Sequence, residues 1–331
     1  MLSQLWKCCS AVHSILKYLL YGSFGLISRL LPPFIQYSLS THEEPHDLEL
    51  CGHPPSDQDQ AVFSSGNANP VLYEPLSEIL SVGSTSLIAR IKPGVVVKYP
   101  RYSWWHSTEA ANANSFVREI KNSFEVEERL LNILGTHPRI ISDGDLQAYI
   151  DQHHDATDLC LRVKWCCQAA EAIHYIHQKG VIHSDLRPQN LLLHSDSRSK
   201  LDILLCDFGG SFSGDIDGGH LPDSGFFNPC KPWVSTEAVD IFSLGSVFYT
   251  MMTGHWPYKS PGPFKSTSET IEYDELVDAL FASGKYPPVD SLPGGTMIQG
   301  CWTERYDNVG ALIQDQKSSN WGVPVDLVDT R

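Results

Sequence analysis

The chain has 331 residues, with 24 Lys and Arg against 39 Asp and Glu and a formal net charge of −15. Its 42% hydrophobic and 19% charged residues lie within the range of folded globular proteins, which excludes a wholly disordered or collagen-like chain. The acid excess excludes nucleic acid as a partner, because neutralising phosphates needs clustered Lys and Arg.

The charge is uneven, and the unevenness marks boundaries. Residues 1–40 hold Lys7, Lys17 and Arg29 and no acid, whereas residues 41–80 hold eight acids and no Lys or Arg. In the first stretch Leu2, Leu5, Trp6, Cys9, Val12, Leu16, Leu19 and Leu20 recur every three or four residues, the spacing of an amphipathic helix. Arg29 and Pro32-Pro33 interrupt the apolar run that follows, so no membrane-spanning helix is expected, and a secretory cleavage site is missing. Residues 1–40 read as a peripheral membrane contact, with Cys8 and Cys9 as acylation candidates, or equally as a helix packed on its own domain or a partner. Residues 41–70 combine acids, Pro, Ser and Gly without apolar periodicity and read as an acidic flexible linker. The nine cysteines show neither C-x-x-C nor any disulfide or zinc spacing, which fits a reduced, cytoplasmic compartment.

From about Val71 to residue 320 the pattern is that of a packed domain, of a size that suits two lobes. The first lobe, about 71–145, opens with strand-like alternation from Ile79 to Ile91 around Gly83. A Pro93-Gly94 turn and the extended run Val95-Val96-Val97-Lys98 follow. Phe116, Ile120, Phe124, Leu130, Leu131 and Leu134 mark a long helix that stops at Gly135. The second lobe, about 146–320, is mainly helical. Leu161, Trp165, Ala169, Ala172, Ile173 and Ile176 line one helix that ends at Gly180, and Ile241 to Met252 forms another. Residues 321–331 are a tail.

The chemistry concentrates between residues 183 and 209. His183-Ser184-Asp185-Leu186-Arg187-Pro188-Gln189-Asn190 lies between a helix and the apolar strand Leu191-Leu192-Leu193. A second strand, Ile203-Leu204-Leu205-Cys206, runs into Asp207-Phe208-Gly209. Adjacent loops therefore present Asp185, Asn190 and Asp207, three oxygen-bearing side chains suited to Mg2+ and to a hydroxyl nucleophile.

This arrangement resembles the eukaryotic protein kinase family, in a fungal-type serine/threonine form with a shortened first lobe. The resemblance implies an α+β bilobal fold with a small antiparallel β N-lobe, here incomplete, and a larger helical C-lobe. It implies ATP and Mg2+ as cofactors and a protein substrate. Asp185 would take the acceptor hydroxyl proton, Arg187 would steady the transferred phosphoryl group, and Asn190 and Asp207 would hold Mg2+. Gly83 would belong to the glycine-rich loop, Lys98 would meet the nucleotide phosphates, and Glu127 would be its ion-pair partner. Glu125 and Glu128 are neighbours of Glu127; Glu127 is chosen because Leu130, Leu131 and Leu134 then occupy the family helix's buried positions. Asp240-Ile241-Phe242-Ser243-Leu244-Gly245, the turn from Met252 to Tyr258 and Cys301-Trp302 resemble later family elements. They set this chain apart from small-molecule phosphotransferases, which remain a minor alternative.

Departures from the family pattern are equally legible. Of the glycine loop only Gly83 remains, with Ser81 and Ser86 at the outer positions. Ser184 replaces the Arg that pairs with a phosphorylated activation segment, and Asn228-Pro229-Cys230 replaces A-P-E. Between Pro138 and Leu146 only residues 139–145 are available, whereas two strands and a turn need roughly 12 residues. The second hairpin strand and the adenine hinge are therefore expected to be missing, leaving Phe124 and Leu131 exposed. The chain then reads as an active Ser/Thr protein kinase, as a catalytically impaired pseudokinase or scaffold, possible membrane tethering being compatible with either, or as a sequence from which an exon was lost.

Overall fold

The structure, a computed structural model, describes residues 35–38, 78–83, 85–92, 95–100, 115–135, 144–195, 201–318 and 321. The amphipathic face expected over Leu2 to Leu20 and the whole acidic linker, residues 41–70, lie outside these residues. Among the described residues no helix is long and apolar enough to cross a membrane.

The first lobe is built on a four-stranded antiparallel sheet of β1 (Ile35–Ser38), β2 (Glu78–Val82), β3 (Ser86–Lys92) and β4 (Val95–Pro100), in the spatial order β1-β4-β3-β2. β-Branched Val95, Val96 and Val97 suit the pleated surface of β4, which lies between two neighbours. Gly83 closes the turn between β2 and β3, its N–H donating to the Ser86 carbonyl at 2.8 Å. Strand β1 was not anticipated: it falls inside the segment read from sequence as preceding the main fold.

Helix α1 (Ser115–Leu134) buries Val117, Ile120, Phe124, Glu127 and Leu130, a three- and four-residue repeat, and ends at Gly135 with φ +82°. The exposure expected of Phe124 does not occur, since its side chain is only 1% exposed, and Leu131 is partly buried against the core. The reason is that α1 packs on the second lobe as well as on β4: Ser123 lies so close to Gly209 that a Cβ there would come within 2.2 Å of its hydroxyl. Cover for the helix therefore does not depend on the strands that the chain lacks room to form after residue 138.

The second lobe begins with α2 (Leu146–His153) and α3 (Leu159–Gln178). Asp145 and Asp158 cap them, accepting from Ala148 N–H at 2.9 Å and Leu161 N–H at 2.8 Å. A two-stranded ladder, β5 (Leu191–Ser195) with β6 (Leu201–Leu205), and a short hairpin, β7 (Phe212–Ser213) with β8 (Ile216–Asp217), follow. Helix α4 (Glu237–Thr253) is buried on all sides from Val239 to Met252, which makes it the axis of the lobe. α5 (Thr267–Ala282), α6 (Gly295–Trp302) and α7 (Val309–Ser318) pack around it, and Phe248, Phe281 and Trp302 fill the space between. α4 and α6 approach at Gly245, where a Cβ would stand 2.7 Å from that of Cys301.

Candidate active site

Asp240, fully buried near the start of α4, organises the loop that leads into Asp185. Its carboxylate accepts from His183 N–H at 2.8 Å and Ser184 N–H at 2.9 Å, and His177 Nε2 lies 2.8 Å from it. These bonds hold Ser184 at φ +64°, a left-handed conformation that a non-glycine residue adopts only under constraint. The His183 ring rests 5.3 Å from that of Phe208. Its Nε2 lies 3.0 Å from the Cys206 carbonyl while Nδ1 accepts from Asp185 N–H at 3.3 Å, contacts that match the tautomer protonated at Nε2. The loop is thereby fixed before Asp185 begins.

Asp185 is buried and hydrogen-bonded on one side only. Asn190 Nδ2 donates to the Asp185 carbonyl at 2.6 Å and lies 3.2 Å from Oδ2. Oδ1 has no hydrogen-bond partner among the described residues; Arg187 Nε and His220 Nδ1 stand 3.7 Å from it. One carboxylate oxygen is thus left to accept a proton from outside. The Arg187 guanidinium pairs with Asp223 through Nη1. Burial alone would lower its pKa, but the Asp185, Asp223 and Asp207 carboxylates outweigh that and raise it, so it stays charged.

Lys98, 5% exposed, reaches across from β4 to Glu127 of α1 at 2.7 Å and to Asp207 at 2.8 Å. Glu127 is 1% exposed, whereas Glu125 and Glu128 face solvent. Burial of Lys98 would lower its pKa; the Asp207 and Glu127 carboxylates outweigh it and push the pKa well up. Burial would likewise raise Asp207, yet Lys98, then Arg187 and His183, hold it down at about 2. Asp207 sits at φ +62° and keeps its side chain 40% exposed, an ionised oxygen ligand open to solvent. With the Asn190 amide it offers the hard oxygen donors that suit Mg2+. No group of three or more His, Cys, Asp or Glu among the described residues is placed to hold a metal, so a cation here would draw the rest of its shell from phosphates and water.

The segment from Gly210 to Pro229 is anchored without phosphate. Ser211, fully buried, donates to the His183 carbonyl at 2.8 Å, and Ser224 donates to Asp278 of α5 at 3.1 Å. Where the buried Glu of A-P-E is missing, Cys230 Sγ lies 3.4 Å from the Ala282 carbonyl, and the next residue, Lys231, pairs with Glu304 at 2.7 Å. Sequence reasoning missed His220 and Asp223, since neither belongs to a spaced motif and Pro222-Asp223-Ser224-Gly225 reads only as a turn.

Burial pushes the Asp278 carboxyl up from 3.8 to about 6, against a smaller lowering by the Ser224 hydroxyl. Between pH 4 and 6 Asp278 in the folded state therefore holds a proton that the unfolded state has released, and its contribution to stability falls as pH rises through that window before levelling off. Asp278→Asn is expected to make the change in stability from pH 4.5 to 7 more favourable than in the wild type and to stabilise the domain at pH 7 by on the order of 2 kcal/mol. Urea unfolding at pH 4.5 and 7 measures it, and the same change in the variant as in the wild type would refute the assignment.

The protein kinase domain profile matches residues 113–294, more than half of the chain. The chain belongs to the protein kinase domain family. It is 28% identical over 218 residues to human ribosomal protein S6 kinase alpha-2, covering 57% of this chain and 27% of that protein. It is 27% identical over 224 residues to Xenopus laevis ribosomal protein S6 kinase 2 beta, covering 59% of this chain and 33% of that protein. Mouse ribosomal protein S6 kinase alpha-3 is 33% identical over 136 residues, or 38% of this chain and 16% of that protein. The chain thus spans about a third or less of the curated relatives it matches. The profile match in this kinase domain begins at residue 113, after β4, and does not include Lys98.

Proposed function

We propose that this kinase domain transfers the terminal phosphate of ATP, with Mg2+, to a Ser or Thr hydroxyl of a protein. The observation that carries the reading is Lys98 bridging Glu127 and Asp207, which joins β4, α1 and the end of β6 into one charged cluster. In this reading Lys98 meets the nucleotide phosphates while Glu127 keeps its ammonium in place. Asp207 and Asn190 would hold Mg2+, which neutralises charge on the phosphates. Asp185 Oδ1, free of hydrogen bonds, takes the acceptor's proton as the hydroxyl oxygen bonds to the terminal phosphorus and the bond to ADP breaks. Pro188 after Arg187 supports a Ser/Thr acceptor. The six described cysteines are free thiols, which supports a reducing cytoplasmic setting.

The test is calorimetric titration of the full chain with Mg-ATP, alongside phosphate transfer to a generic acceptor protein. Lys98→Met is expected to weaken nucleotide binding and transfer by at least about tenfold each, the loss of a charge-assisted contact. Nucleotide binding unchanged in Lys98→Met would overturn the reading. Binding without transfer in the wild type would mark a catalytically impaired scaffold.

Regulation follows from the anchoring of residues 210–229. Ser184 cannot pair with a phosphate as Arg does, and Ser211 and Ser224 already donate hydrogen bonds. Activity is therefore expected to survive phosphatase treatment. Its loss, with recovery on rephosphorylation of Ser211, Ser213 or Ser224, would contradict this.

A further inference from the structure

β4 carries Lys98 and needs a partner along each edge. β3 supplies one, with Ile88 opposite Lys98. The chain between α1 and α2, residues 135–145, falls short of the roughly 12 residues that two strands and a turn would need to supply the other, before any connector is counted. In the structure that second edge is taken by β1: Ile35 stands opposite Lys98, Gln36 opposite Val97, Tyr37 opposite Val96 and Ser38 opposite Val95. Residues 39–77 lie between β1 and β2, so this pairing is a return of distant chain and not a hairpin.

We infer that Ile35–Ser38 acts as an intramolecular strand that closes the β4 edge and holds Lys98 in position to meet its nucleotide. Without β1, β4 would become the outer strand, its backbone N–H and C=O groups unpaired along the residues that fix Lys98. A buried ammonium keeps its partners only while its own backbone is held, and Glu127 and Asp207 come from other elements. β1 is thus a positioning element that acts through Lys98. The inference deepens the kinase reading and rests on it for the identity of the ligand. By reciprocity, nucleotide bound at Lys98 strengthens the pairing of residues 35–38.

The sheet order supplies an uncommon test. β1 is the terminal strand, so successive N–H groups alternate between β4 and open space. Proline removes an N–H, which matters at one of two neighbouring positions and not at the other. Full-length Gln36→Pro and Tyr37→Pro are therefore compared with the wild type by hydrogen exchange of residues 95–100 and by Mg-ATP titration. One of the two variants is expected to exchange at least tenfold faster at residues 95–100 and to bind Mg-ATP at least tenfold more weakly, while the other matches the wild type. Exchange over residues 161–252 stays unchanged in both, which separates positioning from general unfolding. Combined with Lys98→Met, the damaging proline should weaken binding no further. Two variants equal to the wild type in exchange at residues 95–100, or two equally damaged, would overturn the inference. Asymmetric exchange in a chain that binds no Mg-ATP would overturn the kinase reading and leave the strand's hold on β4 standing.

Discussion

Asp185→Asn is expected to lower phosphate transfer by at least about a hundredfold and to leave Mg-ATP affinity within about twofold. The asymmetry follows from where the side chain sits. Lys98, Glu127 and Asp207 form the cluster assigned to the nucleotide, and Asp185 lies outside their contacts. Its Oδ2 and main-chain carbonyl are held by Asn190, and its Oδ1 makes no hydrogen bond. An amide at position 185 keeps the shape and hydrogen-bonding reach but cannot take a proton from a hydroxyl. Single-turnover transfer with saturating nucleotide reads the chemical step, and calorimetry reads binding. Equal transfer by wild type and variant would remove Asp185 from the chemistry.

Asp240→Ala is expected to cost about 3–5 kcal/mol of unfolding free energy, a large share of the 5–15 kcal/mol available to a domain. Two buried main-chain donors, His183 N–H and Ser184 N–H, lose their acceptor together, each at about 1–3 kcal/mol. His177 loses its contact as well, and the left-handed conformation of Ser184 loses what holds it. Asp185 follows directly, so activity is expected to fall even at temperatures where the variant remains folded. Urea denaturation gives the first quantity, and transfer at 10 °C gives the second. A stability change below about 1 kcal/mol would show that the loop finds other acceptors.

Much of this kinase domain is legible in its sequence because the deciding interactions are local. The helix ending at Gly135 and the one followed by Gly180 are bounded by glycines at positive φ. Helix α4 announces itself by apolar residues on every side. The run from His183 to Asn190, followed by two strands and Asp207-Phe208-Gly209, carries its meaning in its spacing, which the loop geometry preserves. The choice of Glu127 over Glu125 and Glu128 was made from the family positions of Leu130, Leu131 and Leu134, and in the structure Glu127 is buried while the other two are exposed.

Other features depend on residues far apart in the chain, and no periodicity encodes which of them meet. Asp223 closes on Arg187 and His220 approaches Asp185 only because the segment after β8 folds back over the loop. Phe124 is buried because α1 presses on Gly209, a contact with the other lobe that counting the missing strands could not reveal. Strand β1 is the sharpest case. Ile35-Gln36-Tyr37-Ser38 is too short to signal a strand by alternation, and its partner lies beyond a long acidic stretch. The sequence by itself determined the spaced motifs from His183 to Gly209, the glycine ends of two helices and the shortage of chain after residue 138, all of them matters of neighbouring residues. Only the tertiary structure decided what covers the open edge of β4, because unpaired backbone groups are satisfied by whichever strand the folded chain brings within reach.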